Sequence, residues 1–191
     1  VLFIAVLLVV LSFTGCKKDK ISDVKETVTN KDGVKDDLAI DKEQYLNLIL
    51  NSEPSTLDAS KGADSYSNAV INNVLEPLTR LDEDADLNNV LTPAGAESWE
   101  HNEDGTVWTF KIRDAKWSDG VSVRAQDYEY GIKRSLLPDT ASPYAFLLAP
   151  IKNASGVNSG ELSVDELGVK SLDDKTLEIT LENPTPYFLD L

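Results

Sequence analysis

Hydrophobic and polar positions change register several times along the chain. Val1 to Leu11 is unbroken apolar sequence, residues 17–43 are a lysine–acid mixture, and from Tyr45 short apolar runs alternate with turn residues. The sharpest pattern is VWTFKIR, residues 107–113. Trp108, Phe110 and Ile112 fall on one face and Thr109 and Lys111 on the other, which predicts a half-buried strand. AESWEH upstream reads as its hairpin partner, because NEDG between them supplies an Asp-Gly turn. LGVKSL and TLEITLE flank Asp173-Asp174-Lys175 in the same manner, with Leu177, Ile179 and Leu181 aligned, and predict a second hairpin. YLNLILN, residues 45–51, has strand length and is bounded by Ser52-Glu53-Pro54, so a buried strand is expected there.

Two stretches change to helical spacing. Ala69, Val70, Val74 and Leu75 predict an amphipathic helix over 66–75, ended by Pro77. Ala125, Tyr128, Ile132 and Leu136 predict another, ending before Pro138. Arg124 stands at its cap position and cannot accept a hydrogen bond, which lowers capping energy by about 1 kcal/mol. Gly131 inside that helix costs about 1 kcal/mol against Ala and suggests close packing at that point. Strand 107–113, the Ser118-Asp119-Gly120 turn and this helix read as scaffold, with Trp108, Phe110 and Trp117 assigned to packing. SEPSTLDASKGADS (52–65) is a loop, and DEDAD (82–86) is a solvated turn that lacks the twelve-position pattern of a calcium loop. No internal repeat is visible.

The front of the chain reads as an address. The apolar run is shorter than the ~20 residues a membrane helix needs, and small residues follow it, which is the form of a signal-peptide core; a plain membrane anchor is the alternative. The single cysteine, Cys16, follows Phe13-Thr14-Gly15 and resembles the bacterial lipobox, with Phe13 where leucine is usual. A lone Cys forms no intrachain disulfide. Seven lysines face eight acids over 17–43, with no aromatics, so burial there cannot offset ordering entropy. The expected organisation is a signal peptide at 1–15, a lipidated Cys plus flexible tether at 16–44, and a folded body at 45–191. The absence of Met, the apolar start and the uncapped ENPTPYFLDL end predict a piece of a longer polypeptide.

Composition narrows the function. The chain has 191 residues, is 41% hydrophobic and carries a net charge of −15, so it has material for a core but no basic surface for nucleic acid. His101, the only histidine, sits in EHNEDG and reads as an exposed loop residue. One His and one Cys leave no Cys/His metal cluster and little scope for a Ser-His-Asp triad. No Gly-rich phosphate loop is present. A carboxylate pair for glycoside hydrolysis stays open, though no spacing among the 33 acids singles one out. These features favour capture over conversion, with no cofactor and no metal.

SEPSTLD (52–58), AESWEHNEDGTVWTFKIRDAKWSDG (96–120), AQDYEYGIKR (125–134), DTASPYA (139–145) and ELGVKSLDDKTLEITLENPTPYF (166–188) together resemble the extracellular solute-binding proteins of ABC importers, in the oligopeptide- and dipeptide-binding branch. The resemblance covers 45–191. It implies an α/β two-lobed clamp of the periplasmic-binding-protein type, with a mixed sheet, hairpins and flanking helices, of which only the first part is present. It also implies capture of an oligopeptide between lobes, held as an added strand would be, and delivery to a permease and its ATPases by a non-enzymatic, exported, lipid-anchored monomer. By the same resemblance Tyr144 points toward the ligand, Glu53 lies in a loop lining the peptide site, and Ser142 is their neighbour. Ala59 departs from the proline that often ends the SEPSTLD motif. Relatives for nickel, haem or a short oligosaccharide are the alternative, and an exported hydrolase or adhesin a more distant one.

Overall fold

Strand β4 (Val107–Ile112) sits inside the larger of two sheets. Its neighbours are β3 (Ala96–His101) on one side and β6 (Thr176–Thr180) on the other, with β5 (Val169–Asp173) beyond β6, giving the order β3-β4-β6-β5. The computed structural model describes residues 46–191, and every named element lies in the unit Ile49–Leu191. The signal segment, Cys16 and the tether lie outside the described residues.

Both expected hairpins are present. Gly105 (φ 72°) lets the β3–β4 turn close, setting Trp99 opposite Phe110 and His101 opposite Trp108. The β5–β6 turn runs through Asp173-Asp174-Lys175. The two hairpins join through β4 and β6, with Phe110 opposite Leu177 and Trp108 opposite Ile179. Every ladder among the described residues is antiparallel, so the mixture there is of helix and strand rather than of strand direction.

The alternation read from 107–113 decides the core. Phe110, Ile112, Leu177 and Ile179 are all 3% exposed or less, and each such side chain contributes roughly 1.5–3 kcal/mol by leaving water. Helix α2 (Ala125–Leu136) covers this sheet on the β5 and β6 side, burying Ala125 and Leu136. A short helix α3 (Ala154–Ser159) adds Ala154 and Val157 to the same core. Phe188 closes over β4, its ring 5.6 Å from Trp108 and 6.5 Å from Phe110.

Arg124 caps α2 with no side-chain bond, as expected, but the Asp127 carboxylate accepts the Arg124 N–H at 2.9 Å and the Trp117 indole N–H at 3.1 Å. The Ala125 N–H reaches the Asp174 carbonyl at 2.9 Å, pinning the helix start to the β5–β6 turn. Further along α2, burial pushes the Glu129 carboxyl up, yet bonds from Lys133 and from the Ser171 hydroxyl and N–H outweigh it and hold the group below its ordinary value. Glu129 thereby fastens α2 to strand β5.

Several expectations fail for identifiable reasons. Residues 46–51 form no strand, and Leu46, Leu48 and Ile49 are 78%, 76% and 89% exposed. No described strand pairs with the segment, and an apolar run without a ladder has nothing to satisfy its backbone groups. The first helix, α1 (Ser65–Val74), exists but buries Ser67 and Ile71, leaving Ala69 and Val74 exposed. Its rotation is set by polar bonds at its start, described below. Gly131 faces open space, with no atom within 4 Å of an added Cβ, so close packing does not explain it. Trp117 is 42% exposed and acts through its indole N–H rather than as core. A further hairpin, β1 (Thr79–Glu83) with β2 (Asn89–Pro93), takes in part of DEDAD. The Asp84 carboxylate there accepts the Asp86 and Asn88 N–H groups and closes the turn in solvent.

Candidate functional site

The loop between Glu53 and Asp64 has little apolar burial of its own, and Leu57 is left exposed. Polar bonds order it instead. Asp64, the N-cap of α1, accepts the Tyr66 and Ser67 N–H groups on one carboxylate oxygen, at 3.0 and 2.9 Å. Its other oxygen accepts the Ser55 and Ser67 hydroxyls at 2.5 and 2.6 Å. These bonds, the Ser55 hydroxyl first, hold the Asp64 carboxyl far below the usual carboxylate range. Ser67 is fully buried, and its hydroxyl oxygen also accepts the Thr56 N–H at 3.2 Å. This explains why α1 turns a serine inward and leaves Val74 outside.

Farther along the loop, the Asp58 carbonyl accepts the Lys61 and Gly62 N–H groups, both at 2.9 Å. The Asp58 carboxylate takes a two-pronged bond from the Arg134 guanidinium of α2, each prong 2.6 Å. That bond, offset in part by desolvation, keeps the Asp58 carboxyl below its ordinary value. The Ser60 hydroxyl meets the Ser135 hydroxyl at 3.0 Å.

Tyr144 lies beyond the end of α2. A 3-10 turn at Pro138–Thr140 leads to Ala141, whose left-handed backbone (φ 50°, ψ 46°) redirects the chain toward Tyr144. Such a conformation costs a residue with a Cβ roughly 1–2 kcal/mol, so the surrounding fold imposes this path. The Tyr144 ring is 41% exposed, and its hydroxyl approaches the Ala63 carbonyl at 3.4 Å. Phe146, 66% exposed, stands 6.2 Å from it. Phe146 also lines an open groove of about 700 Å³ shared with Leu147, Pro150, Pro184 and Tyr187.

Of the three residues expected at a ligand site, Tyr144 and the Glu53 loop are brought to one region. Ser55, two positions after Glu53, bonds Asp64, and the adjacent Ala63 carbonyl meets Tyr144. Glu53 itself is exposed with no bonded partner among the described residues. Ser142 is half-buried, and its carbonyl accepts the Ala145 N–H at 3.3 Å, so it shapes the Tyr144 turn from behind. The sequence reading missed Asp58, Arg134, Ala63 and Phe146. An Asp and an Arg 76 positions apart carry no local signal, and a backbone carbonyl carries none at all. The arrangement offers aromatic faces, an open groove and backbone carbonyls. Among the described residues no three His, Cys, Asp or Glu side chains are placed to share a metal ion. His101, with its Nδ1 2.7 Å from the Asn102 carbonyl oxygen and its ring centre 4.7 Å from that of Trp108 at a tilt of 51°, belongs to the β3–β4 hairpin.

At the described site, an antiparallel sheet backed by helices carries Tyr144 and Phe146 as an exposed aromatic pair. Residues 90–191 match the bacterial extracellular solute-binding proteins, family 5 Middle, and the chain belongs to that family. An oligopeptide-binding protein of Bacillus subtilis, OppA, is 40% identical over 166 residues, which is 86% of this chain and 29% of the relative. The substrate-binding domain of an oligopeptide ABC transporter from Bacillus anthracis superposes with a TM-score of 0.69 at 48% identity, over 74% of this chain and 27% of that structure. Haemophilus influenzae OppA in complex with RPPGFSPFR gives a TM-score of 0.67 at 36% identity, over 72% of this chain and 27% of its own. The chain thus spans under a third of the length of the relatives it matches.

Proposed function

We propose that the protein carrying this chain is the extracytoplasmic substrate-binding component of an ABC importer, capturing oligopeptides between two lobes and delivering them to a permease and its ATPases. The observation that carries the reading is the likeness to the Haemophilus protein in complex with a nonapeptide, at 36% identity over 72% of this chain. The site surface accords with it. Tyr144 and Phe146 present apolar faces to side chains of varied shape, and the ordered loop 53–64 places exposed Glu53 and the Ala63 carbonyl nearby for polar groups of a peptide. Ser142 holds the Tyr144 turn. The protein performs no chemistry on its ligand, works as a monomer, and is lipid-anchored through Cys16 on the outer face of the cytoplasmic membrane or in the periplasm.

The test is calorimetric titration of the full-length gene product, with Cys16→Ala to prevent lipidation. Saturable one-to-one binding of RPPGFSPFR, displaced by unrelated peptides, is the expected result. Saturable uptake of Ni²⁺, haemin or maltotriose without any peptide binding would overturn the reading.

A further inference from the structure

Loop 53–64 is gripped from outside at two places close together. Arg134 and Ser135 are consecutive on the last turn of α2, and they hold Asp58 and Ser60, two positions apart on the loop. The Asp58 carboxylate works in both directions. One of its oxygens accepts the Ser60 N–H at 3.1 Å, closing the loop on itself, while the pair together takes the guanidinium fork. Both ion-pair side chains are about 30% exposed, so the contact is neither a solvated surface pair nor a sealed one. The loop's other ties run nearer its ends, through Ser55 and Thr56 to Asp64 and Ser67 and through Ala63 to Tyr144. Without the central grip, the Lys61–Gly62 turn and the Ala63 carbonyl keep only the turn's own bonds to the Asp58 carbonyl, their link to α1 and the long Tyr144 contact, because no large side chain of the turn is buried. Ala59 adds no backbone restraint of its own.

We propose that Asp58 and Arg134 form a positioning pair that sets the loop bearing Glu53 and the Ala63 carbonyl against Tyr144, and so preorganises the peptide site. The inference rests on the peptide-capture reading above. A guanidinium fork fixes both distance and plane, which a lysine ammonium on a flexible stem does not. Ligand then meets a loop already in place, and no part of the binding energy is spent ordering it.

The test uses the full-length gene product with Cys16→Ala as background, and adds Asp58→Asn, Arg134→Gln and the double substitution. Binding of RPPGFSPFR and of penta-alanine is measured by calorimetry, and backbone order by amide hydrogen exchange. If the competent loop population falls to about a tenth, each single change weakens binding about tenfold. The double variant is then no weaker than either single, because Asp58→Asn keeps an oxygen to accept the Ser60 N–H and each change removes the same ion pair. Amides of Ser60, Lys61 and Gly62 exchange faster in all three variants, while those of β4 and β6 keep their protection. Losses that multiply in the double variant contradict the pairing, and single variants that bind within twofold of the background contradict positioning. Lost protection in β4 and β6 alongside weaker binding assigns the pair to general stability and overturns the proposal. A background protein that takes neither peptide sinks the capture reading, and this inference falls with it. Variant losses against a binding background therefore separate the two claims.

Discussion

Gly168 and Gly131 make opposite predictions from the same change. Gly168 lies just before β5, where three backbone segments cross. Its N–H donates to the Lys152 carbonyl at 2.9 Å, its carbonyl accepts the Thr180 N–H at 2.7 Å, and Lys152 N–H bonds the Thr180 carbonyl at 2.9 Å. A Cβ on Gly168 would stand 2.6 Å from the Thr180 oxygen and 2.7 Å from Lys152 Cβ. Neither neighbour is a flexible side-chain tip, so the segments must separate. Overpacking costs about 1–3 kcal/mol, and stretching two of the crossing hydrogen bonds adds about 0.5–1 kcal/mol each. Gly168→Ala is therefore expected to cost about 2–5 kcal/mol, lowering the melting temperature of a unit this size by roughly 4–20 °C. Gly131 has open space at the same position of an added carbon. Gly131→Ala gains helix propensity of about 1 kcal/mol and raises the melting temperature by roughly 2–4 °C. Scanning calorimetry and guanidinium unfolding of both variants measure the pair. Gly168→Ala melting with wild type refutes the crossing geometry, and Gly131→Ala melting lower refutes the open face of α2.

Phe110→Ala removes a ring at the centre of the sheet, 1% exposed, and should cost about 3–5 kcal/mol in denaturant unfolding. Tyr144→Phe should leave stability within about 0.5 kcal/mol, as an exposed side chain with one long bond predicts. Tyr144→Ala should weaken peptide binding about tenfold with little change in melting, and wild-type affinity in that variant would remove Tyr144 from the site. Acid should loosen loop 53–64 before the sheet. Asp58 and Asp64 are both depressed in the folded state, so their stabilisation is complete well above the ordinary carboxyl value of 3.8, and is lost as pH falls below it toward the lowered folded values. Exchange of the Lys61 and Gly62 amides, corrected for intrinsic rate, should rise as pH is taken from above 3.8 to below it and go on rising toward the lowered folded values. Unchanged protection over that interval contradicts the role given to these carboxylates.

Legibility in the sequence followed the range of the interactions. Period-2 patterning with Asp-Gly and Asp-Asp-Lys turns placed both hairpins of the larger sheet, because register there is decided by neighbours a few residues apart. Helix α2 was legible from its apolar spacing for the same reason. The face of α1 was not, since Ser55 and Asp64 draw Ser67 inward and override the apolar stripe. Residues 46–51 show the converse: the pattern names a face, but pairing needs a partner that no local signal supplies. Hairpin β1–β2 was obscured by the charges of β1, with Leu81 itself 55% exposed. At the site, Tyr144 came from resemblance alone. Asp58 and Arg134 required the fold, which brings a loop and a helix end together across 76 positions.

The most direct test of the central claim is native mass spectrometry of the full-length gene product, with Cys16→Ala, purified without denaturant. Peptide capture predicts adduct masses that fragment into short peptides of mixed sequence. A protein that carries no adduct and takes up nothing from an added peptide library would contradict it.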